Sequence, residues 1–182
     1  MDVILIDRDK STAKKGKDFI AKLLEDGVKK RRLTEKKLEE VLSRITVCSN
    51  FEGLANSDLV IEAVFEDLNL KKDLYKKIEP HLKPNAVLAS NTSTLPITEL
   101  SESLTVVERF IGIHFFSPVE KMNLVEIIKG KSSGDKSLAV ALDFTRKIKK
   151  TPIVVNDARG FFANRCIIPY INEGLQMVSE GI

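Results

Sequence analysis

The sequence is short of most residues that announce a function directly. It has two cysteines, Cys48 and Cys166, far apart and in apolar contexts, and two histidines, His81 and His114. Residues so placed offer no metal-ligand spacing, and a reduced, intracellular protein is the simplest reading. No apolar run approaches the ~18 residues of a membrane span, and no basic-then-apolar leader opens the chain, which argues against membranes and secretion. Excess charge of one sign is missing too: 29 Lys and Arg against 26 Asp and Glu leave a net +3. A nucleic-acid binder concentrates its basic residues on one face, whereas Lys29-Lys30-Arg31-Arg32 is followed at once by Glu35, Glu39 and Glu40. We read that stretch as a solvated helix end, with a modest pull on an anionic ligand left open. Internal repeats and low-complexity segments are absent. So is G-x-G-x-x-G, the turn that seats a pyrophosphate on a helix N-terminus.

What remains is ordinary globular usage: 182 residues, 43% hydrophobic and 30% charged, enough for one domain or one domain plus an appendage. Asp2-Val3-Ile4-Leu5-Ile6-Asp7 reads as a strand buried on both faces. Phe19, Ile20, Leu23, Leu24 and Val28 recur with helical period, and a second helix starts at Thr34 as N-cap. Short strands follow at 45–48, 58–63 and 86–90. Leu70, Leu74, Ile78 and Leu82 mark an amphipathic helix over 68–82. Residues 109–116 and 124–128 read as two strands joined at Ser117-Pro118. A helix over 135–150, a strand over 152–155 and a long helix over 159–179 complete the chain. Alternation of this kind predicts an α/β protein with a mainly parallel sheet and helices on both faces.

In such a sheet ligands bind beyond the carboxyl ends of the strands. That rule selects Asp7, Glu62 with Glu66, Asn91-Thr92-Ser93 and His114. Two readings stand for Asp7, an acceptor for a ribose hydroxyl or an acid at a helix N-terminus. Asn91-Thr92-Ser93 is either a turn where backbone approaches a ligand or the N-cap of a short segment at 97–102. His114 is the sharpest signal. Twelve residues on, Glu126 lies inside the apolar run 124–128, and a hairpin around Pro118 would set it opposite the imidazole. A buried carboxylate needs a partner; paired, it would fix the imidazole's tautomer and stabilise the imidazolium formed on proton uptake. A purely structural buried pair is the alternative. His81 reads as helix-end surface.

Val3 to Asp7, Ile61 to Asp67, Leu88 to Thr94, Gly112 to Val119, Leu124 to Ile127 and Gly160 to Arg165 together resemble the L-3-hydroxyacyl-CoA dehydrogenase family, in its order and spacing. The wording of 89–94 and 121–127 is most similar to the dehydrogenase portion of multifunctional fatty-acid β-oxidation proteins. The resemblance implies NAD as cofactor and an acyl-CoA substrate. It implies His114 as general base, Glu126 as its orienting partner, Ser93 at the substrate oxygen and Asn164 close to the active site. It also implies Asp7 at the adenosine ribose, with Glu66 and Lys71 at cofactor-contacting positions together with Ser93. Ser117 stands where many members have Asn near substrate and nicotinamide.

The resemblance further implies a fragment of a Rossmann-like fold. Residues 1–156 would be an NAD-binding domain lacking its first strand and Gly-rich loop, and 157–182 the first helix of an incomplete C-terminal helical domain. The absent strand would lie between those at 3–6 and 58–63, so the sheet is expected to show a gap, to close irregularly or to borrow an edge from another copy. The implied partners are a second copy of the chain, a hydratase domain or a thiolase subunit. The compartment would be cytoplasmic for a bacterial source, mitochondrial or peroxisomal for a eukaryotic one. A fragment of this kind is expected to turn over weakly or not at all. The competing readings are a non-catalytic scaffold and a related Rossmann dehydrogenase acting on a free hydroxy acid.

Overall fold

The computed structural model describes all residues, 1–182, and divides into two compact units, Met1–Asn56 and Ser57–Ile182. The first unit runs β1 (Val3–Ile6), α1 (Lys10–Lys29), α2 (Glu35–Ser43), β2 (Ile45–Cys48) and a 3-10 turn at Glu52–Asn56. Local chemistry sets both helix starts: the Asp9 carboxylate accepts from Thr12 N at 2.7 Å, and Thr34 Oγ1 accepts from Lys37 N. β1 and β2 pair in parallel, Val3 opposite Ile45 through Ile6 opposite Cys48, and Ala13, Ile45 and Leu54 form the buried centre. The expectation that β1 is buried on both faces fails. Val3 is 42% exposed and the rest of the strand half-buried, because a two-stranded sheet covers little of an apolar strand.

The second unit contains β3 (Leu59–Glu62), α3 (Leu68–Ile78), β4 (Val87–Ser90), α4 (Ile97–Ser101), β5 (Phe110–Phe115), β6 (Leu124–Lys129), α5 (Asp135–Lys147), β7 (Thr151–Asn156) and α6 (Ala163–Ser179). Its five strands stand in the order β3-β4-β5-β6-β7. All neighbours are parallel except β5 and β6. β1 and β3 therefore belong to separate sheets. The third strand is less buried than its apolar run suggests: Leu59 to Ile61 are half-buried at a sheet edge, and only Glu62 is enclosed.

Successive strand residues face opposite sides. On one side Val87, Ala89, Ile111, Ile113, Val125 and Ile127 form a core with Ala141 of α5. On the other, Phe110, Gly112 and His114 share a face with Tyr75 of α3 and Ile97 of α4. A Cβ at Gly112 would sit 2.8 Å from Ile128 Cβ and 2.9 Å from Ile97, so glycine lets α4 lie close on the sheet. The apolar stripe read for 68–82 is rotated. Leu70 is exposed and Leu74 half-buried, while Lys71, Tyr75 and Ile78 are the buried residues of α3. The reason is electrostatic: Glu62 is enclosed beneath this helix and requires a cation and donors. The last helix begins at Ala163 instead of 159, after a turn in which Gly160 and Phe161 both have positive φ. No helix is long and apolar enough to cross a membrane.

Candidate functional site

The β5–β6 ladder places His114 directly opposite Glu126. Nδ1 lies 2.8 Å from Glu126 Oε2, and the two residues are 4% and 0% exposed. With the carboxylate accepting from Nδ1–H, the neutral imidazole carries its lone pair on Nε2. Phe116 and Phe161 stand beside the ring, with centroids at 4.6 and 5.9 Å. Glu126 is not a single-purpose partner. Its Oε1 accepts from Phe162 N at 3.0 Å and Ala163 N at 2.8 Å, the first amides of α6, whose positive end favours the anion.

The loop after β4 meets the same centre. Asn91 Oδ1 accepts from Phe115 N at 2.9 Å, tying the loop to the strand that carries His114. Glu66 Oε1 accepts from Thr92 Oγ1, Ser93 N and Thr94 N at 2.6, 2.8 and 3.0 Å. Burial pushes the Glu66 carboxyl up, but those donors and the Lys71 charge outweigh it and hold the group below the usual carboxylate range. Asn164 Nδ2 donates to the Ser93 carbonyl at 3.0 Å, so α6 touches the loop as well as Glu126. Ser93 itself is exposed. Ser117 also lies exposed, at the β5–β6 turn and in cis linkage to Pro118.

The N-cap reading of Asn91-Thr92-Ser93 is overturned. α4 is capped by Asp157, whose carboxylate oxygens accept from Ile97 N at 2.9 Å and Thr98 N at 2.7 Å. Thr92 Oγ1 instead accepts from Leu95 N inside its own loop. For Asp7 the helix-terminus reading is taken by Asp9, which caps α1. Asp7 ends β1 exposed, one oxygen accepting from Arg8 N. A carboxylate free of capping duty suits a ribose diol.

Lys71 is placed apart from solvent. It is 1% exposed, with Nζ 2.6 Å from Glu62 Oε1 and 3.4 Å from Glu66 Oε2. Tyr75 Oη and Ser90 Oγ donate to Glu62 Oε2 at 2.5 and 2.8 Å. Burial and the neighbouring Glu62 charge push the Tyr75 phenol up from its ordinary value. Tyr75, Asp157 and Phe161 escaped the sequence reading. Tyr75 left a signal, standing one helical turn after Lys71, and Phe161 lies within the 160–165 stretch that carries the resemblance.

No G-x-G-x-x-G cradle for the nicotinamide dinucleotide that the resemblance implies occurs among the 182 residues. Comparison with known proteins converges on the same family. Over 163 residues the chain is 43% identical to the fatty acid oxidation complex subunit alpha of Shewanella amazonensis, covering 90% of this chain and 23% of that protein. The protein of the same name from Shewanella baltica matches equally. The chain thus spans about a quarter of the length of the curated relatives it matches. Among solved structures, the (S)-3-hydroxybutyryl-CoA dehydrogenase of Ralstonia eutropha superposes with a TM-score of 0.95 at 36% identity, over 100% of this chain and 64% of that one. The 3-hydroxybutyryl-CoA dehydrogenase of Escherichia coli K12 gives 0.94 at 31%, over 98% and 38%. Residues 1–158 match the family described as 3-hydroxyacyl-CoA dehydrogenase, NAD binding domain, and the chain belongs to it.

Proposed function

We propose that this NAD-binding domain serves a protein that oxidises a 3-hydroxyacyl thioester of coenzyme A to the 3-keto form. The observation carrying the reading is the buried His114–Glu126 pair, in register at the end of β5 and joined by hydrogen bonds to the start of α6. His114 Nε2 takes the proton of the 3-hydroxyl. Glu126 holds the ring in the tautomer that leaves Nε2 free and stabilises the imidazolium, while the Phe162 and Ala163 amides keep the carboxylate fixed. NAD, when bound, supplies the acceptor for the hydride leaving C3. Asp7 would hold its adenosine ribose, with Glu66, Lys71, Ser93 and Ser117 on the cofactor side. In this reading the Ser93 hydroxyl faces the substrate oxygen, and Asn164, bonded to the Ser93 carbonyl, orients that turn.

The domain division proposed is 1–156 for the cofactor domain and 157–182 for the opening of a second, helical one. A second copy of the chain, a hydratase domain or a thiolase subunit completes the proposed assembly, in keeping with relatives named as subunits of a complex. A bacterial source would place it in the cytoplasm.

The test is NADH oxidation with acetoacetyl-CoA, for the chain alone and for a version extended at both ends towards the length of its relatives, each with and without His114→Gln. Turnover in the extended protein that vanishes with His114→Gln supports the assignment. An inactive extended protein, or a mutant as fast as its parent, overturns it in favour of a non-catalytic scaffold.

A further inference from the structure

Three residues other than glycine have left-handed backbone: Arg31 at φ 55°, Lys149 at 61° and Phe161 at 53°. The first two have a common explanation. Each lies just past a helix, where Arg32 N closes on Gly27 O and Lys150 N on Thr145 O, the usual left-handed helix ending. Phe161 has no such excuse. It precedes α6, it follows another left-handed residue, Gly160 at φ 73°, and it is 3% exposed. A bulky side chain in this region is sterically disfavoured, and such outliers persist where the surroundings impose them.

What the outlier achieves is visible in the next two residues. The chain turns so that Phe162 N and Ala163 N both reach Glu126 Oε1, at 3.0 and 2.8 Å. The Phe161 ring meanwhile stands 5.9 Å from the His114 ring, on an imidazole whose Nδ1 is held by the other oxygen of the same carboxylate. We propose that Phe161 is a positioning residue for this centre: its left-handed backbone delivers two amides to Glu126, and its side chain shields the His114 imidazole. The proposal deepens the His114–Glu126 reading above and rests on it.

The test uses the full chain with nitrogen-15-labelled histidine, following the downfield Nδ1 proton of His114 by NMR. Phe161→Gly keeps the left-handed backbone but removes the ring. The resonance should persist while its exchange with water quickens tenfold or more. Phe161→Ile, being β-branched, resists the left-handed region; the resonance should move upfield or broaden, whereas Phe161→Tyr should restore the parent signal. In the extended, active protein Phe161→Ile should lower kcat about tenfold with KM unchanged. A folded Phe161→Ile with the parent resonance overturns the proposal. So does Phe161→Gly with the parent exchange rate, a variant that carries no backbone strain of its own. The proton reports the hydrogen bond whether or not substrate turns over. An altered resonance without measurable activity therefore retains the positioning role and sinks only the proposed reaction.

Discussion

Lys71 and Glu62 face each other at 2.6 Å with side chains 1% exposed on both sides, a charge pair sealed between the edge strand β3 and α3. Removing one partner of such a pair strands the other charge, which typically costs about 3–5 kcal/mol. Lys71→Met should therefore lower unfolding stability by about that amount, read from urea titration, and Glu62→Leu in the same chain should recover little of it, because Tyr75 Oη, Ser90 Oγ and Val64 N then lose their acceptor. A Lys71→Met variant of parent stability would contradict the structural role of the pair.

Tyr75 supplies a second test of the same cluster. Its hydroxyl donates to a buried carboxylate, and hydrogen bonds to charged groups are worth about 1.5–3 kcal/mol. Tyr75→Phe should cost that much and leave the sheet intact by circular dichroism. A neutral substitution would mean the Glu62 oxygen is satisfied without it.

Substitution at the imidazole separates chemistry from structure. Under the proposed reaction, His114→Gln in the extended protein should lower kcat by roughly 10²- to 10⁴-fold, the usual worth of a positioned base. Glu126→Ala should do both kinds of damage, because it strips an acceptor from His114 Nδ1, Phe162 N and Ala163 N together. Buried donors left unpaired cost about 1–3 kcal/mol each. Its melting transition should fall well below that of His114→Gln; equal melting temperatures would contradict the shared role of the carboxylate.

Glu66 gives a pH signature. Its folded carboxyl is held below the ordinary glutamate value of about 4.3, so it contributes stability above that value. The contribution is lost as pH falls through the lower, folded value. Glu66→Gln keeps an acceptor oxygen for Ser93 N and Thr94 N but cannot ionise. Between pH 7 and pH 3 the parent should lose more stability than Glu66→Gln does. A difference between the two that is constant with pH would refute the ionic role.

Gly112 is a packing test. A methyl there meets Ile128 Cβ and Ile97, so Gly112→Ala should cost about 1–3 kcal/mol. Ile97→Val should relieve only part of it, since the contact at 2.8 Å with Ile128 remains.

Much of this centre was legible. The apolar runs flanking Ser117-Pro118 implied a hairpin, and the twelve-residue separation put Glu126 opposite His114, where the ladder has it. Thr34 announced the start of α2 in the same way. What was not legible depends on long-range geometry. The cap of α4 comes from Asp157, far along the chain, and no local pattern marks it. The burial of Lys71 against Glu62 is of the same kind, since sequence shows charge without burial. The apolar spacing of Leu70 and Leu74 misdirected the inward face of α3, since the enclosed carboxylate of Glu62, not apolar area, decides which side turns in. The exposure of β1 likewise depends on how many strands flank it, which its composition does not encode.

The five strands of the second unit stand side by side in the order in which they are synthesised. Each strand after β3 therefore docks onto an edge that already exists, and none must insert between two strands made earlier. Growth of that kind closes one modest loop at a time and requires no pairing across the full length of the unit. The sheet that holds His114 and Glu126 can be laid down progressively as the chain emerges, with the His114–Glu126 pair completed when β6 arrives and its carboxylate anchored when α6 follows.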